Sequence, residues 1–387
     1  MIHYLKYAIS PLTILIAIYC ISLGEYGPTF FIIGYSLFMI LGDLFMGKDT
    51  VLRQYSYPSI LNIILFINLP LLLLLILTII VSLNGTLQNW LISIYNQYLF
   101  FDIKNISQSI NIIDKIALIQ IAGLFIGIAG TVPGHELTHR KKNRLDMFIG
   151  NWLLAISWDC TFAIEHVYGH HKNVCLDHDP ASAKRGQNVI QFIFFAIFKE
   201  QKDAWLIELK RLKRKGYGLF NSYNKILIGY FRSLMITIFF YYISGISGML
   251  IYLLCAVYGK IILEAVNFME HYGLVREEGK PVLLRHSWNS NSMLSSIYLF
   301  NLTRHSSHHE KANLKFWELE PYKEAPIMPF GYLSMVYLVL FCPFIYHRIM
   351  ARELIKWDSK YASKEERIIA SMQNKKSGIR LLEKQTY

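Results

Sequence analysis

Six stretches of this chain are apolar for long enough to cross a lipid bilayer, and this limits the possible folds more than any other feature. Crossing ~30 Å of hydrocarbon takes about 20 helical residues. No water is present there to satisfy a backbone N–H or C=O, so the crossings are expected to be helices. They fall at Tyr7–Leu23, Pro28–Met46, Pro58–Leu83, Ile116–Val132, Ile226–Ile246 and Met249–Met269. Pro70 should kink the third. Tyr332–Tyr346 is apolar but short and contains Pro343, so it reads as an interfacial or re-entrant helix. With 53% hydrophobic and only 17% charged residues, the chain has too little charge to cover a soluble globule of 387 residues.

Lys and Arg set the orientation, because they are retained in cytoplasmic loops. Lys48 and Arg53, the Arg140–Arg144 run, Lys199–Lys215 and the segment after Tyr346 all fall on one side of a six-span arrangement. The Gly24–Gly27 and Ser244–Gly248 turns on the other side have none. Both termini are therefore expected in the cytoplasm. The net charge of +12 lies beside the spans, so anionic headgroups, and not nucleic acid, are the expected partner. The same basic face suits an acidic soluble protein. The five cysteines form no C-x-x-C pair, so neither a disulfide framework nor a cysteine metal site is indicated. The N-terminus runs into the first span with no cleavage signature and is read as an anchor.

The expected fold is all-α: a six-span transmembrane helix bundle carrying a cytoplasmic histidine-rich cap. Residues 1–346 form a single domain, with the cap drawn from about 134–224 and 267–345. Residues 347–387 form a basic cytoplasmic tail, helical or loosely ordered.

Nine of the thirteen histidines gather in four clusters at cytoplasmic helix ends. These are His135-Glu-Leu-Thr-His139, His166-Val-Tyr-Gly-His170-His171, Glu270-His271-Tyr-Gly273 and Arg304-His305-Ser-Ser-His308-His309. Spacings of three and four put imidazoles on one helix face. So many buried imidazoles without a metal would leave ring nitrogens short of partners. A zinc ion takes about four ligands, so nine histidines point to two metals. Imidazole alone does not name the metal. His135-Glu-Leu-Thr-His139 also fits a zinc peptidase with Glu136 as base, but that leaves three clusters unexplained. In a metal transporter the histidines would line a path through the spans instead of gathering at one face.

These motifs resemble the integral-membrane alkane monooxygenases, within the membrane desaturase and hydroxylase superfamily of histidine-rich di-iron enzymes. The resemblance runs from Gly42-Asp-Leu-Phe-Met-Gly-Lys-Asp49 to about Tyr337. It includes Asp179-Pro-Ala-Ser182, Asn267-Phe-Met-Glu-His-Tyr-Gly273, His286-Ser-Trp-Asn-Ser-Asn291 and Leu302-Thr-Arg-His-Ser-Ser-His-His309. It implies two iron ions held by His135, His139, His166, His170, His171, His271, His305, His308 and His309. The sequence departs from the family pattern at Arg140 (usually Lys), Thr303 (usually Gln) and Ser307 (usually Asp).

The resemblance further implies terminal hydroxylation of medium- to long-chain n-alkanes with O2, using two electrons from rubredoxin and its reductase, in the cytoplasmic membrane of a bacterium. A fatty-acid desaturase or hydroxylase, or a xylene-type alkyl-aromatic monooxygenase, would use the same centre. The substrate needs an apolar tunnel entered from the bilayer. Ligand histidines usually donate their second ring nitrogen to a carboxylate or carbonyl. By sequence proximity the candidates are Glu136, Glu165, Asp179 and Glu270, and His286 is read as a support and not as a ligand.

Overall fold

The computed structural model describes residues 2–84, 87–99 and 102–385. Among them the regular elements are helices, with no strand beyond two isolated bridges, Lys48 with Ser292 and Asn289 with Ile327. Among the described residues five helices are long and apolar enough to cross a membrane: His3–Ser22, Gly27–Phe45, Pro58–Asn84, Ile112–His139 and Lys225–Glu270. The chain is thus a multi-pass membrane protein. On Gly27–Phe45 the exposed residues Phe30, Ile33, Leu37, Leu41 and Leu44 recur at helical spacing, the pattern of a face turned to lipid.

The six expected stretches correspond to five helices because the last two are merged. Lys225–Glu270 runs 46 residues, but Ser244 and Gly245 leave helical geometry, Gly245 at φ +66°. A glycine relieves the Cβ clash of that conformation. Asn84 donates to the Ser244 carbonyl and hydroxyl at 3.1 and 3.0 Å, holding polar groups freed at the break. Three residues before Pro70 the helix is interrupted: Pro58–Phe66 gives way at Ile67 to Asn68–Asn84, and Pro70 has no N–H to offer the carbonyl four residues back. The Asn68 amide there donates to the carbonyls of Ile64 and Leu65. The apolar segment near 332–346 is a ten-residue helix, Tyr332–Phe341, too short to span and stopped just before Pro343.

Contacts divide the chain into two compact units. The first comprises Met1–Phe38, Ser56–Cys160 and Phe220–Ile262. Its buried Asp114 closes a capping box with Asn111 and accepts from Thr29 Oγ1 and the Tyr26 N–H. The second comprises Met39–Tyr55, Thr161–Leu219 and Leu263–Tyr387. Asp43 is one of its hubs, accepting from the hydroxyls of Ser292, Ser295 and Ser334 at 2.8, 2.8 and 2.9 Å. Within the same unit, the C-terminal region forms helices Pro343–Lys360, Lys364–Lys375 and Arg380–Glu383 and packs inward. Arg185 is buried against it, bound to both Asp358 oxygens at 2.6 and 2.7 Å.

Candidate metal centre

In the second unit the histidines separate into two sets. His166, His171 and His308 form one, and His170, His271, His305 and His309 the other; within each set the ligand atoms lie within 4.8 Å of one another. In the first set, His171 Nε2 is 3.1 Å from both His166 Nε2 and His308 Nε2. In the second, His305 Nε2 is 3.2 Å from His271 Nε2 and 2.9 Å from His309 Nε2. Metal–imidazole bonds of ~2.1 Å at right angles put adjacent nitrogens about 3 Å apart, so these spacings fit ligands sharing an ion. The sets adjoin, with the His171 and His309 ring centroids 4.4 Å apart.

Local helix geometry explains the sorting. Successive α-helical residues point about 100° apart. The doublets His170-His171 and His308-His309 therefore each send one ring to each set. A π-helical turn at His166–His170 adds a second adjustment. The His171 N–H bonds back to the His166 carbonyl, five residues earlier. In an α-helix residues five apart diverge by about 140°; the widened turn lets His166 and His171 converge. The short helix His305–Glu310 is held from outside. Asn289 accepts the Ser306 N–H at 2.8 Å and donates to its hydroxyl at 2.6 Å. Buried Arg304 donates to the carbonyls of Leu319 and Asp49.

Two rings have assigned tautomers. His271 Nδ1 lies 2.8 Å from the His286 carbonyl, which only accepts, so Nδ1 carries the proton and Nε2 the lone pair. His170 Nδ1 faces Asp179 at 3.0 and 3.2 Å in the same way. Burial raises the Asp179 carboxyl, but His170 and Ser182 outweigh it and hold it below the usual carboxylate range. Ser182 Oγ donates to Asp179 at 2.6 Å. Burial, followed by the neighbouring imidazoles, pulls His271 down to about 3 and His305 and His309 well below the ordinary value. Neutral, densely packed rings with inward lone pairs are what a cation needs.

The other expected site residues are placed as follows. Glu270 Oε1 stands 3.4 Å from His305 Nδ1. The Glu165 carboxylate lies over Gly169, where a Cβ would come within 2.4 Å of its oxygen. His286 is fully buried; its carbonyl meets His271, while its ring Nε2 meets Glu366 at 2.8 Å. Glu366 was not foreseen. Ser307 is buried and accepts the Glu320 N–H at 2.9 Å. In the first unit His135 and His139 are buried one helical turn apart, ring centroids 4.8 Å. Between them, Glu136 is committed to Arg140 at 2.6 Å, and Arg140 also binds Asn62 and Asp146. That ion pair disfavours Glu136 as the water-activating base of a peptidase. A cleft of about 690 Å³ beside Cys175 is rimmed by Arg185, Arg276 and Lys376, a lining unlike that expected for an alkane.

Residues 116–339, more than half of the chain, match the fatty acid desaturase family. The chain belongs to that family. Within it, similarity extends to curated enzymes. Alkane 1-monooxygenase 1 of Pseudomonas aeruginosa is 37% identical over 59% of this chain and 61% of its own length. Alkane 1-monooxygenase of Acinetobacter baylyi is 36% identical over 63% of this chain and 60% of its own. The xylene/toluene monooxygenase hydroxylase component of Pseudomonas putida is 32% identical over 67% of this chain and 72% of its own. The chain thus spans about three fifths of the length of the alkane relatives it matches. The family segment covers both histidine sets and stops before helix Pro343–Lys360.

Proposed function

We propose that this protein is a membrane-bound di-iron monooxygenase that hydroxylates the terminal carbon of medium- to long-chain n-alkanes. The observation that carries the reading is the pair of adjoining imidazole sets with ligand nitrogens 2.9–3.2 Å apart. The relatives named alkane 1-monooxygenase support the substrate class.

His166, His170, His171, His271, His305, His308 and His309, with His135 and His139, would hold the two iron ions. When bound, the irons would supply the reductive activation of O2 that an unreactive C–H bond requires. One oxygen atom enters the terminal C–H bond and the other leaves as water, with two electrons and two protons supplied from outside. Burial keeps His271, His305 and His309 neutral and shields them from water, while Asp179 and the His286 carbonyl fix the tautomers of His170 and His271. An apolar substrate reaches such a site from the bilayer through a tunnel between spans.

The break at Ser244–Gly245 supports six spans, since an unbroken 46-residue helix of ~70 Å would overrun the bilayer. The Lys/Arg distribution supports termini and histidines on the cytoplasmic side, and the bacterial relatives support a bacterial cytoplasmic membrane. Rubredoxin and its reductase are the proposed donors; turnover driven by an acidic carrier should fall as salt rises.

A second reading, hydroxylation of an alkyl-aromatic methyl group, is favoured by the xylene/toluene relative, whose length this chain covers best among the three. Whole cells co-expressing rubredoxin and reductase, offered n-alkanes, an alkylbenzene and a fatty acid, decide between them. Primary alkanols that vanish in a His305→Ala control are expected. Conversion of only the aromatic or only the fatty acid would remove the alkane assignment while keeping the metal centre.

A further inference from the structure

The segment Leu284–His286 is gripped from one side by the C-terminal helices. Trp357 Nε1 donates to the Arg285 carbonyl at 2.7 Å. Arg285 donates through Nε and Nη2 to the two Glu366 oxygens at 2.9 and 3.1 Å. The Leu283 N–H donates to His286 Nδ1 at 3.0 Å, so the ring proton is on Nε2, facing Glu366 Oε1 at 2.8 Å. Glu366 also accepts the Ser363 N–H at 2.8 Å, while Ser363 Oγ accepts the Glu366 N–H at 3.1 Å. This reciprocal cap fixes the start of helix Lys364–Lys375. Four donors on two oxygens leave the carboxylate little freedom.

The other side of the same segment meets the metal centre. The His286 carbonyl accepts the His271 Nδ1–H at 2.8 Å. A continuous path therefore runs from the helix cap through the Glu366 carboxylate, the His286 ring and the His286 carbonyl to His271.

We propose that Glu366 is a positioning residue for the metal centre, locking His286 so that its backbone carbonyl holds His271 in the ligating tautomer and orientation. This rests on His271 being a metal ligand. The physical ground is the cost of removing the carboxylate. His286 is fully buried, and its Nε2–H would be left without an acceptor beside an unpaired Arg285 guanidinium. Relief requires the segment to turn or open. A carbonyl displaced by ~1 Å is out of hydrogen-bonding range of His271. Glu366 lies outside the 116–339 family segment, so the support comes from a part of the chain that the histidine motifs do not reach.

The test uses full-length protein in detergent, loaded with Fe(II) alone. Iron per chain, the rate of iron release to a chromogenic chelator, the Mössbauer spectrum and thermal stability are measured for wild type, Glu366→Gln, Glu366→Ala and Ser363→Ala. Partners that orient ligand histidines carry about 10–100-fold in metal affinity, so about tenfold faster release of one of the two irons is expected for Glu366→Ala, with a change in one quadrupole doublet, and a smaller acceleration for Glu366→Gln, whose amide oxygen still accepts from His286 while its NH2 opposes Arg285. Ser363→Ala, which weakens the cap and keeps the carboxylate, should lower thermal stability and leave release and spectrum as in wild type. If Glu366→Ala does not fold, Glu366→Gln carries the comparison. Wild-type release and spectra in the Glu366 variants overturn the proposal, as does an equal change in Ser363→Ala. A wild-type protein that takes up no iron refutes the metal reading itself, and the proposal with it.

Discussion

Replacing Asp358 with alanine strands a charge. Arg185 and Asp358 side chains are both 0% exposed, and the guanidinium makes 2.6 and 2.7 Å bonds to the carboxylate. Its remaining bonds, from Nε to the Gly273 carbonyl and from Nη1 to Asn374 Oδ1, are to neutral acceptors at 2.8 Å. Removing Asp358 leaves the positive charge buried and Nη2 without an acceptor, a loss of about 3–5 kcal/mol for a buried pair broken on one side. In a compact unit of about 200 residues each kcal/mol moves the midpoint by roughly 2–4 °C, so Asp358→Ala should melt on the order of 10 °C lower. Asp358→Asn keeps one acceptor oxygen and should lose about half as much. Tryptophan fluorescence during thermal unfolding of the solubilised protein follows this, with Trp357, whose ring centroid lies 6.0 Å from the guanidinium, among its seven reporters. A shift below about 2 °C for Asp358→Ala, or equal shifts for the two variants, would refute the desolvation argument.

Three further outcomes are expected. Gly273→Ala should destabilise by about 1–3 kcal/mol, checked by the same melt, because Gly273 sits at φ +69° and a Cβ would meet Leu354 and Arg185 carbons at 2.8–2.9 Å. Asp179→Ala should weaken iron retention about 10–100-fold in a chelator competition, since it frees the His170 tautomer; unchanged retention would contradict that. For Glu366, burial acts upward but His286 and Arg285 outweigh it, holding the carboxyl at about 2 against an ordinary 4.5. The folded value is the lower one, so its stabilising contribution is full above 4.5 and disappears as pH falls toward about 2. The stability gap between wild type and Glu366→Gln, followed in acid titrations, should therefore narrow over that window.

Much of this architecture is written in local pattern. Helices follow from apolar length, the interruption at Ile67 from Pro70, and the break at Ser244 from the Ser-Gly pair. The clustered histidines are legible because helical spacing and the two His-His doublets express one local geometry. What escaped the sequence depends on partners far apart in the chain. Nothing near His286 announces Glu366, 80 residues later. The Lys- and Glu-rich C-terminal segment has the composition of a solvated tail, yet Asp358 and Glu366 are buried in it by partners the composition does not show. Ser363-x-x-Glu366 was readable as a helix start; the second use of its carboxylate was not. The π turn at His166–His170 has no signature either, because no residue type encodes it.

The four-imidazole set also bears on the topology of the chain. His170 and His271 are 101 positions apart, and His271 and His305 a further 34. Four rings sharing one ion would close two consecutive loops of those lengths, as a disulfide does, and the denatured chain would lose that freedom. For a loop of about 100 residues this constraint is worth about 4–5 kcal/mol on a chain-entropy estimate. All five cysteines are unpaired thiols. In this protein the cross-link that ties distant segments together would be made by imidazole instead of sulfur, and it would open whenever the metal leaves.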